Sequence, residues 1–294
     1  MRLLKIIVLP LALSASFNPA LVVAQTDTLE EAMARIDISG RQRMFAQRMA
    51  GLSCLVSLDI EAETHAREAL DIRDQYRETL DNLRTGNPDI DITAETDTSV
   101  KRAIAAAIVP FEELSDLLSV FETRSTLATQ RLQAISVSSS QVFETAATLA
   151  SQIQASRSSA LQDLTLIKSM IINISGRQRM LAEKAFKEFC LAQAGADTQK
   201  NLERLDETVR IFDNTLGALI NGLPGMILPP PNEDIKAKLE EVRGVWEPVK
   251  SILARALEGE IMDHDEVHFA TEELETVRML MNEAVALYDL AEES

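Results

Sequence analysis

The sequence predicts an all-α protein made of two tandem four-helix-bundle-like repeats. Three observations carry this. Aromatic residues are only 4% of the 294-residue chain, with 10 Gly and 9 Pro, a composition poor in strand and turn formers. Ala, Leu, Glu, Gln and Arg, which favour helices, recur throughout. A seven-residue string also occurs twice, in phase with a wider set of matches. With 46% hydrophobic and 26% charged side chains the chain has ample material for a core and is not a disordered tail.

The amino terminus reads as an address. Arg2 and Lys5 precede the apolar run Ile6 to Leu13, and Val22-Val23-Ala24 offers small residues before Gln25. That is the pattern of a secretory signal over residues 1–24, cleaved after Ala24. Pro10, Asn18 and Pro19 interrupt the segment, whereas a membrane span needs roughly 20 mostly apolar residues in a row. The expectation is therefore an exported, periplasmic chain beginning at Gln25. The full chain carries a net charge of −17, and −17 − 2 = −19 without Arg2 and Lys5, which repels nucleic acid and anionic lipid, so neither is expected as a partner.

The repeat follows. Ile38-Ser39-Gly40-Arg41-Gln42-Arg43-Met44 recurs letter for letter as Ile174-Ser175-Gly176-Arg177-Gln178-Arg179-Met180, 136 residues later. The same offset, with no gap, pairs Ala46 with Ala182, Cys54 with Cys190, Tyr76 with Phe212, Leu80 with Leu216, Gly86 with Gly222 and Pro88 with Pro224. A tandem duplication divides the exported chain into repeat 1 (25–158) and repeat 2 (159–294).

Helix punctuation fits four helices per copy. Thr28 with Glu31 makes a capping-box start for a helix to about Leu58, and a second runs to Leu83 before Gly86-Asn87-Pro88 stops it. Asp89 to Thr98 reads as a polar linker, Val100 to about Phe121 as a third helix, and the pattern after Ser140 as a fourth. Copy two breaks at Ala194-Gly195 and again from Asn221 to Asp234, and its last helix runs from about Asp265 to Leu290. Ser156 to Ser159 is either a turn between copies, with Ser159 and Gln162 as a second capping box, or the interior of one long helix.

The repeated string, followed in copy one by Phe45-Ala46-Gln47-Arg48, resembles the signature of the PilJ-type domain. That domain is the amino-terminal sensor module of type IV pilus chemotaxis transducers, and it is similar to the nitrate-sensing periplasmic domain of NarX-like histidine kinases. The resemblance covers both copies. It implies a four-helix bundle whose first helix carries the motif, and, in the nitrate-sensing members, a small oxyanion held between two such helices by the Arg before Met. Here those residues are Arg43 and Arg179, with Arg41, Arg177, Gly40 and Gly176 as secondary candidates. Copy two departs after Met180, reading Leu181-Ala182-Glu183-Lys184.

The residues can be read without the family. At about 3.6 residues per turn, Ile38, Phe45, Met49, Leu52 and Val56 share one face, a bundle core, with Arg41 and Arg48 at its edge. Gly40, Arg43, Gln47, Ala50, Gly51 and Cys54 fall near the opposite side, a strip of small and polar residues that a second helix could approach closely. If the equivalent helix supplies Gly176, Arg179, Glu183 and Cys190, two guanidinium groups face each other and repel unless an anion lies between them. A planar trigonal oxyanion matches the donor fork of Arg. The plainer reading gives each arginine a surface carboxylate, worth about 0–1 kcal/mol.

Cys54 and Cys190, the two cysteines of the chain, occupy equivalent positions on this strip. Side-by-side parallel packing of the two motif helices brings them together as a disulfide in an oxidising compartment, whereas end-to-end stacking leaves two buried thiols. His264 and His268 have metal-ligand spacing but no evident third ligand, and no cofactor or metal is expected. With no phosphate loop, no nucleophile elbow and three His in all, no enzyme is expected.

Two function classes follow. One is a stand-alone sensor that binds a nitrate- or nitrite-like anion and signals through a separate partner, a membrane-bound signalling protein or a transporter component. The other is a helical adaptor of the periplasm that binds no ligand. Self-association into a homo-oligomer stays open.

Overall fold

The computed structural model describes residues 28–160, 166–225 and 227–290, with only the backbone described at 166–176 and 289–290. The expected leader, with its cleavage point after Ala24, lies outside these residues.

Thr28 Oγ1 accepts from Glu31 N at 3.1 Å and starts α1 (Leu29–Ser57). The expected capping box is half formed. The Glu31 carboxylate accepts instead from Thr93 N and Thr93 Oγ1, both at 2.8 Å, and from Arg35 Nη2 at 2.9 Å. Buried Arg35 also donates to Thr93 O and Leu83 O, and Arg157 donates to Glu95 at 2.8 Å. The segment expected as a plain polar linker is thus tied down by buried charge at the end of the bundle.

Three more helices, α2 (Ala62–Thr85), α3 (Thr98–Leu118) and α4 (Thr129–Ser156), complete the first ring. The second ring is α5 (Leu166–Gln193), α6 (Thr198–Asn221), α7 (Glu233–Leu257) and α8 (His264–Leu290). In each ring neighbours pack in chain order and the fourth helix closes onto the first. Residues 157–159 turn after α4, so no helix runs unbroken from α4 across Ser156 to Ser159. Gln162, half of the second expected capping box, lies outside the described residues. Among the described residues there is no strand, only the isolated bridges Asn87–Ile92 and Leu223–Ile227.

The fourth helix starts earlier than its sequence pattern predicts, at Thr129 rather than after Ser140. The Ser136 to Ser140 run reads as loop, but these hydroxyls turn back onto the helix. Ser139 Oγ and Ser140 Oγ each donate to Ser136 O at 3.0 Å. Serines satisfied in this way pass as small buried residues, and Ser136, Ser138 and Ser139 are buried.

The duplication is visible in the backbone and the core alike. Gly86 and Gly222 end α2 and α6 at φ of 81° and 75°, where a side chain would be strained. Gln42 Nε2 donates to Tyr76 O at 3.2 Å, and Gln178 Nε2 donates to Phe212 O at 3.1 Å. The Gln of the repeated motif therefore ties the first helix of each ring to the second. Tyr76 stacks on Phe111 and Phe212 packs on Trp246, with ring centroids 4.3 and 4.2 Å apart.

The two rings meet chiefly through α1 and α5. Arg48 meets Glu183, Gly51 meets Phe186 and Cys54 meets Cys190, so the numbers rise together and the helices run parallel, side by side. At these three positions each α1 residue lies opposite or next to its own counterpart, as a pseudo-two-fold axis along the helix pair requires. Hence α1 is buried on both faces: Ile38, Phe45, Met49, Ala50, Leu52 and Val56 inside the first ring, Gly51 and Cys54 against the second. At Gly51 a Cβ would stand 2.3 Å from Phe186 Cε1. Gly51→Val is expected to cost about 2–3 kcal/mol in denaturant unfolding, with most of it recovered by Phe186→Ala in the same chain. An unchanged midpoint for Gly51→Val contradicts the close approach.

Candidate functional site

Between α1 and α5, walled by α2, α4 and α8, lies a cavity of about 950 Å³. Gly40, Arg41, Arg43 and Arg179 all line it. The repeated motif divides its work: Ile38 and Gln42 anchor α1 inside the ring, while Gly40 and Arg43 face the cavity.

Arg43 folds back over Gly40, as helical side chains lean toward the amino terminus. Its Nη2 lies 3.8 Å from where a Gly40 Cβ would be. Its Nε is buried and finds no acceptor, and among the described residues no carboxylate pairs with it. Burial, and then the nearby Arg177 charge, push its pKa below the ordinary guanidinium value.

Arg179 behaves differently. Its Nη1 donates to Asn282 Oδ1 at 2.7 Å and its Nη2 stands 3.7 Å from Asp37 Oδ1. Asp37 also pairs through Oδ2 with Arg41 Nε at 3.2 Å. Arg43 and Arg179 thus open into one cavity, which exposed Arg177 does not line. Gly176 lies in the part of α5 described only as backbone.

Deeper in the same cleft a charge network joins the two rings. Arg48 donates from Nε to Glu68 at 3.1 Å and from Nη1 to Glu183 at 2.9 Å and Glu275 at 2.5 Å. Arg278 Nε reaches Glu183 and Glu275, each at 3.0 Å. Three carboxylates share two guanidiniums. Burial, opposed by Arg48, holds buried Glu183 above the ordinary carboxylate range. His65, whose Nδ1 stands 3.6 Å from Glu68 Oε2, and with it the Arg48 charge, bring Glu68 down to about 2. Sequence reading puts Arg48 at the core edge and Glu183 on the strip, but their meeting depends on α8. Asp37, one turn before Arg41, carries a readable ion-pair spacing.

A disulfide joins Cys54 and Cys190, with Cα atoms 6.0 Å apart. His264 and His268 face Asp265 and Glu272 at 3.9 and 3.6 Å, and the described residues contain no group of three or more His, Cys, Asp or Glu placed to hold a metal ion. Among the described residues no helix is long and apolar enough to cross a membrane.

A family profile described as "Type IV pili methyl-accepting chemotaxis transducer N-term" matches residues 25–130 and again 168–263. Comparisons with curated proteins and with solved structures gave no match.

Proposed function

Because the chain belongs to the PilJ family, the amino-terminal domain of type IV pili methyl-accepting chemotaxis transducers, present here twice, we propose that it is an exported sensor module for a small oxyanion. The anion, nitrate or nitrite in type, sits between α1 and α5 at Arg43, and a membrane-bound signalling protein or transporter component reads the change in helix packing. The observation that carries this reading is the Arg43 guanidinium, with its buried Nε lacking an acceptor beside a second cation. A buried charge without a counter-ion is costly, and an arriving anion relieves both the missing hydrogen bond and the repulsion. Arginine's flat donor fork suits a trigonal oxyanion. The cavity is far larger than such an ion, so the donors select it and water fills the remainder. An adaptor without ligand is favoured only by Arg179, which already has Asn282 and Asp37.

Thermal unfolding in nitrate, nitrite, sulfate and chloride at matched ionic strength tests this. Binding to the folded state alone adds about 2.7 kcal/mol at a hundredfold excess over Kd. A nitrate-selective rise that Arg43→Gln abolishes is expected. Equal small shifts for every salt, unchanged in Arg43→Gln, contradict it.

A further inference from the structure

The cavity that holds Arg43 has an apolar wall as well as a cationic one. Met33, Ile36, Gly40 and Met44 follow one another at three- and four-residue steps, so they form a stripe along the α1 side of the cavity. Arg43 leans back over Gly40, which sets its guanidinium beside that stripe. On α8, Val285 and Ala286 also line the cavity, just beyond Asn282, the partner of Arg179. Numbers on α8 rise as those on α1 fall, from the Arg48–Glu275 contact to the link through Arg179 between Asp37 and Asn282. Val285 and Ala286 therefore lie toward the Met33–Ile36 end, away from the charge network at Arg48. Asp37, at this end, is already held by Arg41 and Arg179. Among the described lining residues five arginines meet three carboxylates, in a chain of net charge −17. The volume of about 950 Å³ falls within the range of about 300–1,000 Å³ typical of organic-ligand pockets, where apolar walls surround a few placed polar groups.

We propose that the anion of this site is the head group of an aliphatic carboxylate, with its oxygens at Arg43 and its hydrocarbon chain along Met33, Ile36, Met44 and Val285. This rests on the anion-sensor reading above and adds to it the chemical class of the ligand. A carboxylate presents a planar pair of oxygens to the guanidinium fork, as nitrate and nitrite do, and it carries an apolar body, which they lack. Nitrate leaves most of the cavity to water, so the half-buried Met33, Ile36, Met44 and Val285 gain no cover from it. A hydrocarbon chain displaces that water and covers them, which raises affinity by about threefold to fourfold per methylene. Methionine side chains are unbranched and adaptable, so Met33 and Met44 can follow chains of different shape. Among the described lining residues Phe45 alone is aromatic, and it packs inside the first ring. The wall therefore suits an aliphatic acid rather than a stacked aromatic one.

Isothermal titration of the purified protein with the sodium salts of nitrate, butanoate, hexanoate and octanoate at constant ionic strength, and with octanol, tests the proposal. Affinity is expected to rise by about a hundredfold from butanoate to octanoate, with octanoate about tenfold or more tighter than nitrate and than octanol. Arg43→Gln is expected to weaken every anion. Met33→Gln/Val285→Thr is expected to flatten the chain-length series and leave nitrate unchanged. Nitrate binding with no gain along the series overturns the carboxylate ligand and leaves the anion sensor standing. Octanoate and octanol binding alike, both indifferent to Arg43→Gln, overturns the placement of the head group at Arg43 and the proposal with it. Octanoate binding that Arg43→Gln abolishes, with no nitrate binding, supports the carboxylate and overturns nitrate as the ligand. No binding of any anion overturns the sensor reading and the carboxylate together. The series and the alcohol use wild type alone, so they decide the matter even if a variant folds poorly.

Discussion

Removing the Cys54–Cys190 bond is expected to lower the unfolding free energy by about 4–5 kcal/mol, the chain-entropy value for a loop of this length. The bridge spans 136 residues and ties the two rings at their shared face. Without it, the α1–α5 contact keeps the Gly51–Phe186 approach and the Arg48–Glu183 pair but loses its covalent tie. Two buried clusters form, one centred on Tyr76 and Phe111 and the other on Phe212 and Trp246, the latter also taking in Cys54, Leu55, Ile60 and Leu132 of the first ring. Cys54→Ala/Cys190→Ala is therefore also expected to split one cooperative transition into two. Urea unfolding of the variant, and of wild type with reductant, checks both statements. A loss below about 1 kcal/mol contradicts the account of the bridge as the main fastener.

Arg48→Met is the second large effect, with an expected loss of about 3–5 kcal/mol. The substitution keeps the apolar stem but leaves Glu183 and Glu275 with Arg278 alone and Glu68 with His65. Glu183→Gln in the Arg48→Met background is expected to restore more than half of the loss, because the stranded buried charge is then gone. The pH dependence has a definite sign. Burial already raises Glu183 above its ordinary value of 4.5, and Arg48 opposes that rise. Without Arg48 the folded chain holds this proton more tightly than the unfolded chain does. The variant's deficit relative to wild type is then smallest below pH 4.5 and widens as pH rises through the folded value. A pH-independent deficit contradicts the assignment to Glu183.

Much of this was legible in the residues, and the exceptions have physical causes. The ungapped offset between Ile38 and Ile174 predicts two like bundles, and the two like aromatic pairs in their cores follow from it. Apolar and small residues on opposite sides of α1 predict a helix buried on both faces. The start of α4 was hidden because the Ser136 to Ser140 run has loop composition, and only the back-bonded hydroxyls show it as helix. Arg43 was readable from the motif. That Arg179 shares its cavity while Arg177 stays exposed depends on how α5 is rotated against α1, a tertiary property that no spacing along one helix encodes. The same holds for Arg48, whose partners come from α2, α5 and α8.

The central claim is that an anion completes the Arg43 guanidinium, and arginine side-chain NMR reads that atom. In protein labelled with ¹⁵N-arginine, the Nε–H resonance of Arg43, assigned by its absence in Arg43→Gln, is followed as nitrate replaces chloride at constant ionic strength. A saturable shift of this resonance, larger than that of exposed arginines such as Arg84, is the expected result. An Arg43 resonance that moves no more than Arg84 does, without saturation, would contradict the account.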